Sequence, residues 1–190
     1  MAPLIVPDPS LVLLVGAAGS GKSTLAARLF AAHEIVSSDA LRAVVAGDEA
    51  DQRASAVAFR ILYRTLDRRL ASGLLTVVDA TNTVAAHRRP IVRRAAAFGF
   101  PLVAIVLDLP PDVVRAQNAG RTRIVDADVI DHHLAAIRAT VDLGRLELEG
   151  FDPVVVLRSQ EGAAGLSIVR QRAATGVAGD DRSASRRLRR

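Results

Sequence analysis

Hydrophobic residues in this chain form short continuous runs separated by longer periodic stretches. Five apolar runs are bounded by turn residues and show no polar alternation. They are Leu11–Val15, Glu34–Val36, Leu74–Val78, Leu102–Leu107 and Val154–Leu157. Such runs are typical of strands that are covered on both faces, as in a parallel sheet. We therefore expect five buried parallel strands.

Helical periodicity fills the segments between these runs. It is clearest over residues 52–72, where large apolar side chains recur at helical spacing and Gly73 ends the pattern. These side chains are Phe59, Leu62, Leu66 and Leu70. Thr83 is placed to cap a second helix that extends to residues 95–97, and the apolar positions from Leu134 to Leu143 indicate a third. Strands that alternate with helices predict one α/β domain with a parallel sheet.

The pattern weakens towards the end of the chain. We expect residues 1–160 to form the folded domain, residues 161–178 a weak terminal helix that includes Leu166–Arg172, and residues 179–190 a disordered basic tail. Of the net charge of +5, residues 180–190 carry +3, so the body of the chain is close to neutral. A solvated tail is the common use of such a segment, and contact with nucleic-acid phosphates is the alternative.

Composition narrows the classes of protein. Half of the residues are hydrophobic and 3% are aromatic, so the core must be aliphatic. The absence of cysteine excludes a disulfide scaffold and cysteine-ligated zinc. The first ten residues lack the basic region of a signal peptide, and no apolar run is long enough to span a bilayer. We expect a cytoplasmic protein with no membrane partner.

The segment GAAGSGKST, directly after the first apolar run, matches the P-loop pattern G-x-x-x-x-G-K-[ST]. Its glycines allow backbone N–H groups to surround phosphates, and the following helix points its positive end at the same anion. We expect Lys22, the only lysine of the chain, to reach the phosphates of ATP or another NTP, and Ser23 to ligate Mg²⁺. The expected nucleotide-binding residues are Gly16, Ala17, Ala18, Gly19, Ser20, Gly21, Lys22, Ser23 and Thr24.

The second apolar run leads into SSDALR, which places Asp39 at the carboxyl end of a strand and Arg42 one helical turn later. Ligands of α/β sheets gather at these strand ends, so Asp39 is expected to face the P-loop. A carboxylate there can accept the proton of an acceptor hydroxyl, and Arg42 can hold an anionic group of that acceptor. The alternative is that Ser38 or Asp39 only caps the helix and pairs with Arg42.

Several segments together resemble one protein family. GAAGSGKSTLA, VSSDALR, DEADQRASAVAF, LTVVDATNT with HRRP, and AIVLDLPPDVV followed by QNAGRTRIV occur in the order found in the kinase module of bacterial RNA-repair polynucleotide kinase-phosphatases, which is itself similar to phage 5′-hydroxyl polynucleotide kinases. The resemblance covers Leu11 to Leu157 and implies a P-loop NTPase-type sheet of five parallel strands flanked by helices, with a helical lid. It also implies transfer of the γ-phosphate of an NTP to the 5′-OH of RNA or DNA.

The resemblance suggests roles for particular residues. It makes Asp39 the general base and Arg42 the clamp on the phosphate 3′ of the attacked nucleotide. Asp79 is then a metal ligand, in the manner of a Walker B aspartate, or a structural cap. The implied acceptor-binding residues are Asp39, Arg42, Gln52, Asn82 and Arg88. A surface position is the alternative for Arg88.

The lid segment departs from the family. The resemblance expects two arginines separated by two residues, whereas Arg121 and Arg123 are separated by Thr122 alone, and Gln117 stands where an arginine is usual. We expect Arg121 to act in catalysis and in nucleotide binding, and Arg123 to assist the latter. His132 and His133 are interpreted as surface residues, because consecutive helical positions cannot share one face.

Three hypotheses about function follow. The leading one is a stand-alone ATP-dependent polynucleotide 5′-kinase with a 5′-OH nucleic acid as substrate and, as possible partners, a separate phosphatase or ligase. The second is a small-molecule kinase acting on a sugar, a nucleotide-sugar or an antibiotic. The third is an NTP-binding module that transfers no phosphate because its lid has changed.

Overall fold

The computed structural model of the protein describes residues 2–46, 52–121 and 124–172. Its centre is a sheet of five strands that are all parallel. In chain order these are β2 (Leu11–Gly16), β3 (Ile35–Ser37), β4 (Thr76–Asp79), β5 (Leu102–Leu107) and β6 (Val154–Leu157). The expected α/β fold with a buried five-stranded parallel sheet is therefore confirmed, and each strand lies within two residues of its predicted start.

Helices flank this sheet and account for most of the chain between the strands. They are α1 (Lys22–Leu29), α2 (Ser38–Ala46), α3 (Gln52–Ala71), α4 (Ala85–Ala97), α5 (Pro111–Ala119), α6 (Ala127–Asp142), α7 (Arg145–Leu148) and α8 (Gln160–Gly165). The long helix and the helix through Leu134 are confirmed. The cap predicted at Thr83 is wrong, because α4 begins two residues later and Val84 precedes it without a side-chain cap.

The core is aliphatic, as composition requires. Every residue of β2 and β5 is buried, which explains why these strands show no polar alternation. Leu62, Leu66 and Leu70 of α3 are buried with them. Apolar surface removed from water contributes about 25 cal/mol per Å², so this layer of packed side chains is the main stabilising contribution.

The strand order β3-β4-β2-β5-β6 places β2 in the middle of the sheet. The chain leaves β2 towards β3 and β4 on one side and later continues to β5 and β6 on the other. Ligands of open α/β sheets bind at such a reversal, outside the carboxyl ends of the strands. The P-loop lies at this point because it directly follows β2.

Two further strands were not expected. β1 (Leu4–Asp8) and β7 (Ile168–Arg172) form a separate two-stranded parallel sheet, with Leu4 opposite Ile168. The helix predicted over Leu166–Arg172 is therefore wrong, and the helical turn α8 ends before it. Arg170 of β7 is held by both carboxylate oxygens of Glu34 at 2.7 Å, which ties this small sheet to the segment that leads into β3.

Within the described residues, no helix combines the length and the apolar character needed to cross a bilayer. The tail predicted for residues 179–190 lies outside the part of the chain that the structure describes.

Candidate active site

The P-loop connects β2 to α1 and has the backbone shape that its glycines allow. Gly21 precedes α1 with φ of 88°, a left-handed conformation that other residues rarely adopt. A Cβ atom at Gly16 would lie 2.6 Å from Ser20 Oγ and 3.2 Å from the Lys22 side chain. The left-handed φ thus favours glycine at position 21, and a side chain at position 16 would crowd Ser20 and Lys22.

Lys22 is buried, with 8% of its surface exposed, and its Nζ donates to the Ala17 carbonyl oxygen at 2.7 Å. Burial lowers the pKa of Lys22 from 10.5 to about 8, while the charge of Asp79 raises it and that of Arg121 lowers it further. The lysine remains mostly protonated at neutral pH. A buried ammonium with one neutral partner is suited to receive an anion.

Ser23 and Asp79 lie together in the cleft that Lys22 also lines. The Ser23 hydroxyl donates to Asp79 Oδ2 at 2.6 Å, and Asp79 is 5% exposed at the end of β4. Among the described residues there is no cluster of three or more histidine, cysteine or acidic side chains. One hydroxyl and one carboxylate fit Mg²⁺, which takes few protein ligands and completes its shell with phosphate oxygens and water.

Asp39 and Arg42 open onto the same cleft as Lys22. This cleft has a volume of about 910 Å³ and is lined by residues of the P-loop, of α2 and of the segment after β4. Asp39 is half-exposed, with 48% of its side chain accessible, and it forms an ion pair with Arg42. Ser38 beside it is buried and donates weakly to Asp39 Oδ1 at 3.4 Å. The structure thus places Asp39 and Arg42 in one cleft with the P-loop, while their roles at the acceptor stay predictions.

The segment after β4 is fixed against the P-loop strand. The N–H of Gly16 donates to the Thr81 carbonyl oxygen at 3.0 Å. Asn82 has φ of 50° and donates its side-chain amide to the Leu14 carbonyl oxygen at 2.7 Å. Asn82 lines the cleft, so its predicted role at the acceptor remains a prediction, although its amide group already serves the backbone.

Arg88 requires a correction. Its side chain is fully buried and does not line the cleft, which excludes both the surface position and a direct acceptor contact. Its guanidinium donates to the two carboxylate oxygens of Glu149 at 2.6 and 2.7 Å. It also donates to the carbonyl oxygens of Asn82 and Thr83 at 2.9 and 3.0 Å. Arg88 thus stabilises the conformation of the loop after β4 from the buried side of that loop.

Helices α5 and α6 form the wall where the lid was expected. Arg121, at the end of α5, lines the cleft, and its charge acts on Lys22. Asn118 closes the loop that follows, because its side chain donates to the Val125 carbonyl oxygen at 2.8 Å and accepts from the Val125 N–H at 3.1 Å. Asn118 also supports the P-loop, since a Cβ atom at Gly19 would lie 3.1 Å from it.

Two predicted site residues fall outside what the structure describes. Arg123 is one of the two lid residues not described, and for Gln52 only the backbone, at the first position of α3, is described. The nucleotide-binding role of Arg123 and the acceptor role of Gln52 therefore stay predictions.

Sequence reasoning missed several residues that line the cleft. They are Arg28, Phe59, His87, Gln117, His133 and Gln160. His133 was expected on the surface and is instead half-buried in the cleft. Burial, and then the charges of Lys22 and His132, lower its pKa below the ordinary value. His132, its neighbour, is exposed as predicted. The signal in the sequence that could have placed His133 in the cleft is the periodicity of α6. His133 lies four residues after Val129, which also lines the cleft, so both are on one face of the helix.

The fold and the site together define a P-loop kinase-like domain. A family model described as an AAA domain, AAA_33, matches residues 11–143. Because this match covers most of the chain, the protein belongs to that family. No curated protein matches the chain significantly in sequence.

Solved structures with the same fold include proteins of different kinds. A chain of the Pnkp1/Rnl/Hen1 RNA repair complex is 20% identical with a TM-score of 0.63, over 73% of this chain and 47% of that one. A gluconokinase from Sinorhizobium meliloti is 17% identical with a TM-score of 0.52, over 84% and 87% of the two chains. The tunicamycin resistance protein of Deinococcus radiodurans is also 17% identical, with a TM-score of 0.52 over 84% and 88%. This chain thus spans about half the length of the RNA-repair protein.

Proposed function

We propose that the protein is an ATP-dependent kinase that transfers the γ-phosphate to the 5′-OH of RNA or DNA. The observation that carries this proposal is that Asp39 and Arg42 line one cleft with Lys22 and Asp79. A carboxylate is then available to an acceptor hydroxyl, and a guanidinium is available to a phosphate of the same acceptor. The resemblance to RNA-repair kinases supports the same acceptor.

Each residue has a distinct part in this reaction. Lys22 and the P-loop N–H groups bind the donor phosphates, and Arg121 neutralises charge on the transferring group from the lid wall. Ser23 and Asp79 would hold Mg²⁺, which would supply positive charge to neutralise the phosphates. Asp39 takes the proton of the 5′-OH and orients its oxygen towards the γ-phosphorus. Catalysis then depends mainly on positioning and charge.

The ion pair between Asp39 and Arg42 suggests why a polynucleotide is preferred. In the structure the two side chains form an ion pair with each other. A phosphate on the 3′ side of the acceptor nucleotide offers Arg42 a second partner, so that the carboxylate becomes available to the hydroxyl. A nucleoside without that phosphate lacks this interaction.

A second candidate is a kinase for small hydroxylated acceptors, such as a sugar or an antibiotic. It is favoured by the similarity to a gluconokinase, which extends over nearly the whole of both chains. A cleft of about 910 Å³ would also accept such a molecule.

One assay separates the candidates. The protein is incubated with Mg²⁺ and γ-labelled ATP, and with a 5′-OH RNA, a 5′-OH DNA, a mononucleoside 3′-phosphate or a panel of sugars. We expect label on the 5′ end of the oligonucleotides and weaker transfer to the mononucleotide. Efficient transfer to a sugar alone would refute the proposal, and ATP binding without transfer to any acceptor would favour a module that only binds nucleotide.

A further inference from the structure

Phe59 differs from the other large apolar residues of its helix. Leu62, Leu66 and Leu70 are buried in the core, whereas Phe59 is only partly buried and lies outside the set of described residues that form this core or pack against it. Phe59 lines the cleft instead. The apolar residues of α3 that recur at helical spacing therefore do not share one environment. The leucines pack in the core, and Phe59 faces the cleft.

A second ring meets Phe59 from the neighbouring helix. The imidazole of His87, in the first turn of α4, has its centroid 6.4 Å from that of Phe59, with the two rings inclined by 34°. His87 is exposed and lines the same cleft. Of the HRRP segment, it is thus His87 that faces the cleft, while Arg88 supports the loop below.

The two rings lie on the acceptor side of the cleft. Helix α3, which carries Phe59, packs against both α2 and α4. Helix α2 carries Asp39 and Arg42, and α4 carries His87. The donor side is formed by different elements, namely the P-loop, α1 and the lid wall.

The position of Phe59 is fixed from behind by a chain of contacts between α3 and α4. The rings of Phe59 and Tyr63 are 6.1 Å apart at 38°. The Arg94 guanidinium lies 4.4 Å from the centre of the Tyr63 ring, and its Nε lies 3.0 Å from Asp67 Oδ1. Because these contacts cross between the helices, they hold the two cleft-facing rings at a set separation.

We propose that Phe59 and His87 form the stacking site for the base of the acceptor's 5′-terminal nucleotide. This assignment rests on the proposed function and adds the base to the groups by which the acceptor is recognised. A nucleobase presents a flat π-face that stacks on aromatic side chains whatever its hydrogen-bonding edge. The site therefore binds all four bases, while Arg42 holds the adjoining phosphate.

The test compares acceptors with and without a terminal base. Wild-type protein and Phe59→Ala, Phe59→Leu, Phe59→Trp and His87→Ala are assayed with a 5′-OH oligonucleotide and with one whose 5′-terminal nucleotide lacks its base. Phe59→Leu keeps apolar volume without a ring, and Phe59→Trp keeps a ring. Phe98→Ala is the matched control, because Phe98 is 43% exposed at the end of α4 and lies outside the cleft.

We expect Phe59→Ala and Phe59→Leu to raise KM for the base-containing acceptor by about 5-fold to 150-fold, with kcat changed less. His87→Ala should have a smaller effect in the same direction, and Phe59→Trp and Phe98→Ala should behave as wild type. With the baseless acceptor, Phe59→Ala and wild type should be equal. Equal losses on both acceptors, or no loss on either, would overturn the stacking site.

A binding measurement separates this proposal from the function on which it rests. A 5′-OH oligonucleotide with the fluorescent base 2-aminopurine at its end should be quenched on binding to wild-type protein and not to Phe59→Ala. Transfer by the wild type without such quenching would overturn the stacking site alone. Neither transfer nor binding of any oligonucleotide by the wild type would overturn the polynucleotide kinase function, and the stacking site with it.

Discussion

The donor and acceptor sides of the cleft are built differently. On the donor side, Lys22, Asp79 and Ser20 are all at least nine-tenths buried, and the P-loop is held by backbone hydrogen bonds. On the acceptor side, nearly half of the Asp39 side chain is exposed, and its fixed contact is an ion pair with Arg42. The donor side is shaped mainly by the backbone, and the acceptor side by side chains.

This difference predicts how the two sides of the cleft should respond to substitution. The triphosphate is the same ligand in every case. The P-loop backbone, the buried lysine and the Ser23–Asp79 pair that would hold Mg²⁺ can therefore remain constant. The acceptor differs between kinases, and exposed side chains on α2, α3 and α4 can change without disturbing the sheet. We therefore expect variants on the donor side to affect every reaction equally, and variants on the acceptor side to discriminate among substrates.

The largest expected effect is that of Lys22→Met. Loss of the buried ammonium should abolish measurable ATP binding and transfer to every acceptor, as checked by calorimetry and by γ-phosphate labelling. Transfer to one acceptor but not to another would contradict the division between the two sides.

The same variant should be more stable than the wild type in the absence of nucleotide. The pKa of Lys22 falls from 10.5 to about 8 on folding, so burial of the charged form costs roughly 3 kcal/mol below pH 8. This cost declines between pH 8 and 10.5. The wild type should therefore gain stability over this interval, relative to Lys22→Met, in urea unfolding followed by circular dichroism.

Asp39→Asn should have the next largest effect. Loss of the general base should lower kcat by about 10²-fold to 10⁴-fold, while the Kd for ATP is unchanged. Asp131→Asn is the matched control, because Asp131 is also half-exposed and paired with an arginine, Arg115, outside the cleft. Near-normal turnover by Asp39→Asn would exclude the carboxylate as the base.

Arg42→Ala should act on one class of acceptor. A charge-assisted hydrogen bond to phosphate contributes about 1.5–3 kcal/mol, so KM for an oligonucleotide should rise by about 10-fold to 150-fold. Transfer to a nucleoside without a 3′-phosphate should not worsen. Arg115→Ala should leave both substrates unaffected, and an equal loss on both by Arg42→Ala would mean that the guanidinium only positions Asp39.

The smallest effect is expected from His133. Its pKa is lowered on folding by burial, then by the charge of Lys22 and then by that of His132. Below about pH 6.5, His133 is protonated more readily in the unfolded chain than in the folded protein. The free energy of unfolding should therefore fall as the pH drops below this value. His133→Asn should reduce this acid loss in unfolding titrations from pH 7.5 to 5. His132→Asn, which leaves burial and the charge of Lys22 in place, should retain most of it.

Much of the fold was predictable because burial on both faces leaves a strong signal. The strands of the central sheet are continuous apolar runs, and the P-loop has fixed spacing. β1 and β7 could not be predicted in the same way. β1 contains Pro7, β7 is polar beyond its first two residues, and each is stabilised by a partner at the opposite end of the chain.

The sequence could predict which residues share the cleft where this depends on position along the chain, as for Lys22, Ser23, Asp39 and Asp79. It could not do so where the direction of a side chain decides. Phe59 and Leu62 look alike in the helical pattern, and only packing against α2 and α4 separates the cleft-facing ring from the core. The direction of the Arg88 side chain was equally unpredictable. This charged residue is fully buried and paired with Glu149.

Arg88 donates hydrogen bonds to the backbone carbonyl oxygens of residues 82 and 83. These hydrogen bonds do not depend on which side chains these two residues carry. Its charge is balanced by one carboxylate, that of Glu149 directly after α7. During divergence, positions 88 and 149 should therefore drift as a linked pair, exchanging together for an uncharged combination or staying together. A replacement at position 149 alone, although far along the chain from the reacting groups, should therefore distort the loop after β4 at the acceptor side of the cleft.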